Sequence, residues 1–156
     1  MSPEKQLFLK SLDGVNHNKI VGILKKADDS IKNDKNIMMH LIGRNARSFY
    51  YASKRLQNNK EVVLAAVKRG KALRYASDAM KSDKEVVLVA LKKFGDQLEY
   101  ANDALKIDKD AVFAAVKSNG KALKYASVKL NNDKELVLAA VKNYGQALKY
   151  ASVKLN

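Results

Sequence analysis

NNDKELVLAAVKNYGQALKYASVKL, residues 131–155, is a phrase this chain uses several times. Residues 80–105, MKSDKEVVLVALKKFGDQLEYANDAL, give the same order of residue classes: a polar cap, an apolar run, a glycine and a Tyr-Ala pair. Registered on that pair, the copies fall at Tyr51-Ala52, Tyr75-Ala76, Tyr100-Ala101, Tyr125-Ala126 and Tyr150-Ala151, in steps of 24, 25, 25 and 25. A fainter copy lies upstream, where Lys26-Ala27 precedes Tyr51-Ala52 by 25 residues and Leu24 holds the leucine position. Self-similarity at a fixed period of this length marks a solenoid or array.

Each period reads as two helices. Ser82 or Asp83 caps the first, and Glu85 stands three after Ser82, as in a capping box. Asn58 with Glu61 and Asn132 with Glu135 repeat that arrangement. The first helix is predicted to run to about Phe94, where Gly95 ends it; Gly70, Gly120 and Gly145 hold the same place and are expected in the left-handed conformation. A shorter second helix carries Leu98, Tyr100, Ala101 and Leu105. Runs such as VVLV also suit a strand, but a cap on one side and a glycine about twelve residues later enclose a helix-length segment. On a helical wheel Val86 to Leu91 cover nearly the whole circumference, so the first helix is expected to be buried on most sides by its neighbours. One helix pair cannot bury such a face alone, whereas a stack can.

The expected fold is therefore all-α: tandem helix-pair repeats of period about 25 residues, stacked as an α-solenoid with a concave groove. A single domain over residues 1–156 would comprise N-terminal capping helices (1–31) and five tandem repeats (32–156). Ser2-Pro3-Glu4 reads as a helix start. Leu155-Asn156 reads as the opening of another "LNND", consistent with a longer array, and Val137 and Val141 on the last repeat suggest end-to-end self-association.

The pattern D-K-E-V-V-L-x-A-V/L-K-x-x-G-x-x-L-x-Y-A-S/N resembles the helical repeat family known only as domain of unknown function 4116, over about residues 31–156. Ala46 at the glycine position and Asn36 at the glutamate position make the first repeat the most divergent. The resemblance implies a tandem α-helical array of microbial and viral proteins. It carries over no catalytic residue, cofactor or substrate.

Composition narrows the chemistry. The 156 residues are 47% hydrophobic and 29% charged, which suits a folded chain with a core. There is no cysteine, so disulfides and thiolate metal sites are excluded. The opening MSPEKQLFLKSL lacks the apolar run of a signal peptide, and no stretch approaches the ~18 apolar residues of a membrane span. These features point to the cytoplasm and are compatible with delivery into a host cell. The net charge is +14. A basic balance suits nucleic acid or acidic proteins, although 25 of the 30 basic residues are lysine, which AT-rich coding alone would favour.

No catalytic constellation emerges. His17 and His40 lie far apart and read as surface or boundary positions, glycines occur singly, and Asp83, Asp108 and Asp133 recur at one repeat position as caps. The expectation is a non-enzyme with no cofactor and no metal. The ladder Tyr51, Tyr75, Tyr100, Tyr125 and Tyr150 reads as packing between repeats, like the glycines Gly70, Gly95, Gly120 and Gly145. The departures from the pattern are more informative. All five arginines, Arg44, Arg47, Arg55, Arg69 and Arg74, fall within 31 residues, and Tyr50 stands where other repeats have Arg74, Glu99, Lys124 and Lys149. Arginine and tyrosine are enriched at binding hot spots and suit phosphate or carboxylate. Against a nucleic-acid track, Asp96, Glu99 and Asp103 place an acidic island between basic repeats. The leading expectation is a protein-binding scaffold that uses second-helix faces and variable turns, including Phe94 and Tyr144. The alternative is a binder of nucleic acid or another polyanion through the arginine patch.

Overall fold

The computed structural model describes residues 2–151, with the side chains of residues 17 and 18 excepted; the Leu155-Asn156 pair and the His17 side chain lie outside the described residues. Among the described residues every regular element is helical. The fold is an all-α tandem repeat, and the chain divides into two compact units, residues 1–77 and 78–156.

The first unit holds α1 (Pro3–Lys10), α2 (His17–Lys26), α3 (Asp29–Lys32), α4 (Lys35–Arg44), α5 (Lys54–Gln57) and α6 (Lys60–Arg69). The 3-10 turns Ala46–Tyr51 and Leu73–Tyr75 follow α4 and α6. The second unit holds α7 (Asp78–Ser82), α8 (Lys84–Lys93), α9 (Asp103–Lys106), α10 (Lys109–Ser118) and α11 (Lys134–Asn143). Its 3-10 turns are Gly95–Tyr100, Gly120–Tyr125, Leu130–Asn132 and Gly145–Tyr150.

The long helices α4, α6, α8, α10 and α11 each have ten residues and open in one way. Asp34, Asn59, Asp83, Asp108 and Asp133 stand at the N-cap and accept from the backbone N–H three residues on, at Ile37, Val62, Val86, Ala111 and Leu136. Such a cap satisfies one of the otherwise unpaired N–H groups of the first turn and contributes about 1 kcal/mol. The cap is thus Asp83 rather than Ser82, Asn59 rather than Asn58 and Asp133 rather than Asn132. That places Glu61, Glu85 and Glu135 at the second helical position, one short of a capping box, and Glu61 and Glu135 instead accept from Lys35 and Lys109 of the preceding repeat.

Four positions of each of α4, α6, α8 and α10, and three of α11, form the core. In α8 they are Val86, Val87, Ala90 and Leu91, and in α10 Ala111, Val112, Ala115 and Val116, all fully buried. This is the narrow stripe of an amphipathic helix. The fifth helical position escapes it: Leu88 and Phe113 are half-buried and Leu138 is 50% exposed. The long helices are therefore not covered on most sides, contrary to the wheel's suggestion.

The predicted second helix is two pieces. A 3-10 turn runs from the glycine to the tyrosine, the alanine of the Tyr-Ala pair is extended (Ala101 φ −67, ψ 153), and a short helix such as α9 follows. The bend has a use. The residue after each alanine turns its N–H to the preceding repeat: Ser53 donates to the Lys32 carbonyl, Ser77 to Gln57, Asn102 to Lys81 and Ser127 to Lys106, at 3.0–3.1 Å. A continuous helix would consume those N–H groups internally.

The glycines are not left-handed either. Gly70 has φ −161 and ψ −179, and among the described residues the only positive φ belongs to Gly14. Close approach is the reason for Gly95 and Gly120. A Cβ on Gly95 would fall inside 3.0 Å of the Ala115 carbonyl oxygen, and one on Gly120 would meet the Ala140 carbonyl oxygen and lie 2.8 Å from Tyr144 Cβ. Each glycine lets its 3-10 turn settle onto the long helix of the next repeat.

Candidate functional site

The arginine-rich segment separates into structural and exposed members. Arg44, at the end of α4, donates from Nη1 to the Leu12 carbonyl and from Nη2 to the Val15 carbonyl, both at 2.9 Å. It ties the α1–α2 connection to the repeat. Arg55 donates from Nε to Asn33 Oδ1 at 2.9 Å and from Nη2 to the Asn33 carbonyl at 2.6 Å. Both guanidinium groups are engaged within the chain. Arg47, Arg69 and Arg74 are exposed.

Tyr50 is 54% exposed, as its departure from the pattern suggested. Its ring stands edge-on to Tyr51 at 4.8 Å and to Tyr75 at 5.0 Å, and the Arg74 guanidinium lies 5.1 Å from the Tyr75 ring centre. The fold thus gathers Tyr50, Tyr51, Tyr75 and Arg74 from two successive 3-10 turns into one aromatic patch. Among the described residues the ring and cation–π contacts of that patch involve Arg74 and not Arg69 or Arg47. The rest of the ladder is half-buried, with cations over its rings: Lys124 lies 4.5 Å from the Tyr125 ring and Lys149 5.0 Å from that of Tyr150. Tyr125 Oη donates to Glu99 at 3.1 Å, one repeat away.

The variable turns are also occupied locally. Tyr144 Oη donates to Gln146 Oε1 at 2.6 Å, and Lys121 lies 4.9 Å from its ring. Phe94 is half-buried with Lys93 5.5 Å from its ring.

A surface that the sequence reading passed over lies on the long helices of the second unit. Leu88, Phe113 and Leu138 occupy the fifth position of α8, α10 and α11, and Lys92, Lys117 and Lys142 follow each by one turn. A groove of about 650 Å³ between α8 and α10 is lined by Leu88, Lys92, Phe113 and Lys117. A second, of about 480 Å³, lies between α10 and α11, lined by Phe113, Leu138 and Lys142. Phe113 borders both, and the Lys117 ammonium stands 4.7 Å from its ring. The signal was present as an apolar residue every 25 positions with lysine four later. It was concealed because the helix is apolar at the core positions too.

Ion pairs run along the caps. Lys84 reaches Asp108 at 2.7 Å and Asp110 at 3.3 Å, and Lys109 reaches Asp133 at 2.8 Å and Glu135 at 3.1 Å. In the first unit Lys5 pairs with Asp34 at 2.8 Å, and Lys35 pairs with Glu61. Hydrogen bonds from Lys5, Lys84 and Lys109 hold the Asp34, Asp108 and Asp133 carboxyls below their ordinary 3.8. Among the described residues no cluster of three or more histidine, cysteine, aspartate or glutamate side chains is placed to hold a metal ion, and no helix is long and apolar enough to cross a membrane.

The family model described as domain of unknown function (DUF4116) matches the chain three times, over residues 12–57, 59–106 and 108–156. The chain belongs to the DUF4116 family. No curated protein and no solved structure gives a significant match. Two of the DUF4116 matches open on a cap residue or directly beside it, at Asn59 and Asp108, and each spans two of the 25-residue periods. The DUF4116 unit is thus a pair of helix–turn cycles, and the long helices bearing Phe113 and Leu138 are the two halves of the third match.

Proposed function

We propose that this DUF4116 protein is a non-enzymatic, cytoplasmic protein-binding scaffold, and that its second unit receives a segment combining apolar anchors with acidic flanks. The observation that carries the reading is the stripe Leu88, Phe113 and Leu138, wholly or partly exposed along two adjoining grooves and bordered by Lys92, Lys117 and Lys142, with Asp110 and Glu135 at one end. Apolar side chains on a repeat surface that its own core leaves uncovered are the usual marks of an interaction face. Lysines beside them select an acidic partner and steer its approach.

The test is selection from a displayed peptide library against the intact protein, counter-selected with Phe113→Asp/Leu138→Asp. Enriched sequences should pair leucine or aromatic anchors with aspartate or glutamate. Phe113→Ala should weaken the best of them about 30-fold, the size of a hot-spot loss of ~2 kcal/mol. Failure to enrich, or equal binding to the double variant, refutes the reading.

The patch of Tyr50, Tyr75 and Arg74 supports a second reading, a short nucleic acid or other polyanion held by stacking and charge. Labelled DNA and RNA oligonucleotides titrated at low and near-physiological salt decide it. Binding that survives physiological salt and falls with Arg47→Ala, Tyr50→Ala and Arg74→Ala would replace the first reading. Binding confined to low salt and indifferent to those substitutions reports generic charge alone.

A further inference from the structure

The like residues of the two grooves form rows that run across the helices. α10 packs against α8 on one side and α11 on the other. Each helix contributes one apolar side chain, Leu88, Phe113 or Leu138, and one lysine a turn later, Lys92, Lys117 or Lys142. Phe113 and Lys117 border both grooves, which therefore lie side by side with Phe113 as their shared wall. Each groove has a described helix on either side. Val137 and Val141 line neither; Val137, which the sequence suggested would be open, is only 5% exposed, and Val141 is half-buried.

The two borders of the apolar row differ in charge. On one, Asp110 and Glu135 are held by Lys84 and Lys109 at 3.3 and 3.1 Å. On the other, Lys92, Lys117 and Lys142 are exposed and make no ion pair among the described residues. A segment lying along one groove would pass from the acids to the lysines and leave the other groove empty. A segment crossing the helices keeps the lysines on a single flank and reaches both grooves. The step from one groove to the next is one helix spacing, about 8–10 Å for packed helices. A crossing chain must repeat its anchors on one face at that step. An extended chain places same-face residues about 7 or 13 Å apart, at two or four residues. An α-helix places residues four apart about 6 Å apart, and residues seven apart about 10.5 Å apart and only ~20° out of line. The helix with anchors seven apart is the one that fits.

We propose that the two grooves together receive one amphipathic α-helix of a partner protein, lying across α8, α10 and α11, with apolar anchors seven residues apart and acids along the flank that faces Lys92, Lys117 and Lys142. The proposal rests on the groove reading above and adds the conformation, spacing and direction of the occupant. Its anchors enter on either side of Phe113, which packs between them as a ridge between two knobs. Its carboxylates complement three lysines that have no acidic partner among the described residues.

The probe is a labelled alanine–glutamine peptide of about 18 residues, with two leucines seven apart and glutamate at the first and fourth residues after each, which sets the acids on one flank. It is titrated into the intact protein by fluorescence anisotropy. Alone it is only marginally helical, so saturable binding should bring a gain of helix in the difference circular dichroism spectrum. Exchanging the second leucine with the glutamate four after the first keeps the composition and brings the leucines to four apart. That exchange, or a proline midway between the leucines, should weaken binding about tenfold or more. Leu88→Ala and Leu138→Ala should each weaken it about fivefold, because each removes the outer wall of one groove. Lys92→Glu with Lys142→Glu should also cost about fivefold or more. Circular dichroism of each variant checks that the fold is kept. Absence of binding, equal binding of the exchanged or proline peptide, or a loss with only one of the two leucine variants overturns the proposal. The displayed-library selection separates the two claims. Enrichment of anchors at other spacings leaves the groove reading standing without the crossing helix, whereas failure to enrich any sequence removes both.

Discussion

Gly120→Ala and Gly145→Ala are the same substitution at equivalent positions of consecutive repeats, and the structure gives them opposite outcomes. At Gly120 the new methyl enters the Ala140 carbonyl and the Tyr144 Cβ, the latter at 2.8 Å. Both neighbours are tied to α11 and cannot swing aside as a flexible side-chain end would. Overpacking of this kind costs about 1–3 kcal/mol. The displaced turn also strains the Gly120 N–H bond to Asn143, worth about 1 kcal/mol. The total is about 3 kcal/mol, which for a unit of this size lowers Tm by about 12–24 °C. At Gly145 the methyl meets nothing and φ is not positive, so the change should lie within about 0.5 kcal/mol of zero, or stabilise through the unfolded chain. Urea unfolding followed by circular dichroism measures both, with the slope checked for constancy so that the midpoint reports stability. Had these glycines been left-handed, each substitution would cost about 1–2 kcal/mol alike. Equal losses at Gly120 and Gly145 would therefore refute the close-approach account.

Arg44→Ala should destabilise the first unit by about 1–3 kcal/mol, because it removes the side-chain donor of the Val15 carbonyl and the second donor of the Leu12 carbonyl, which keeps the Val15 N–H, whereas Arg47→Ala at an exposed position should change stability by less than about 0.5 kcal/mol; thermal melts of the two variants make the comparison. The carboxyls of Asp34, Asp108 and Asp133 titrate below 3.8 in the folded chain, so their contribution is complete well above pH 3.8 and is lost as pH falls through that value to the folded pKa. Asp108→Asn keeps a competent cap, as Asn59 shows in α6, but removes the charge facing Lys84, so its stability should fall less steeply in acid than that of the parent. Urea midpoints from pH 6 down to about pH 2 test this, and identical acid limbs would sink it.

The period, the long helices and their caps were legible to within a residue, because each depends on local chemistry: an aspartate or asparagine that bonds its own first turn, and an apolar run of helical length. What was not legible depends on the neighbouring repeat. Nothing in Tyr100-Ala101-Asn102 announces that Asn102 N–H belongs to the Lys81 carbonyl, so the broken second helix read as continuous. The glycine's partner is a backbone oxygen some twenty residues away, which no pattern of residue types displays. The five arginines looked alike in sequence, yet only tertiary placement puts Arg44 and Arg55 on carbonyls and leaves Arg47 in solvent. The exposed fifth position was concealed for a similar reason, since which apolar positions of a helix stay uncovered depends on how its neighbours cross it. Tyr50 was legible, because a departure from a repeated pattern shows without knowledge of the fold.

In the second unit the side-chain hydrogen bonds that join successive repeats span only 23 to 26 residues. Folding rate falls as the sequence separation of contacts grows, because long loops must close before their contacts are rewarded. Here each new helix finds its partner one period behind it. During synthesis a repeat leaving the ribosome meets a surface already formed, and it need not wait for any distant part of the chain. The bent Tyr-Ala-Ser/Asn step, which costs the second helix its continuity, makes this possible: it turns a backbone N–H toward the strip of chain made just before.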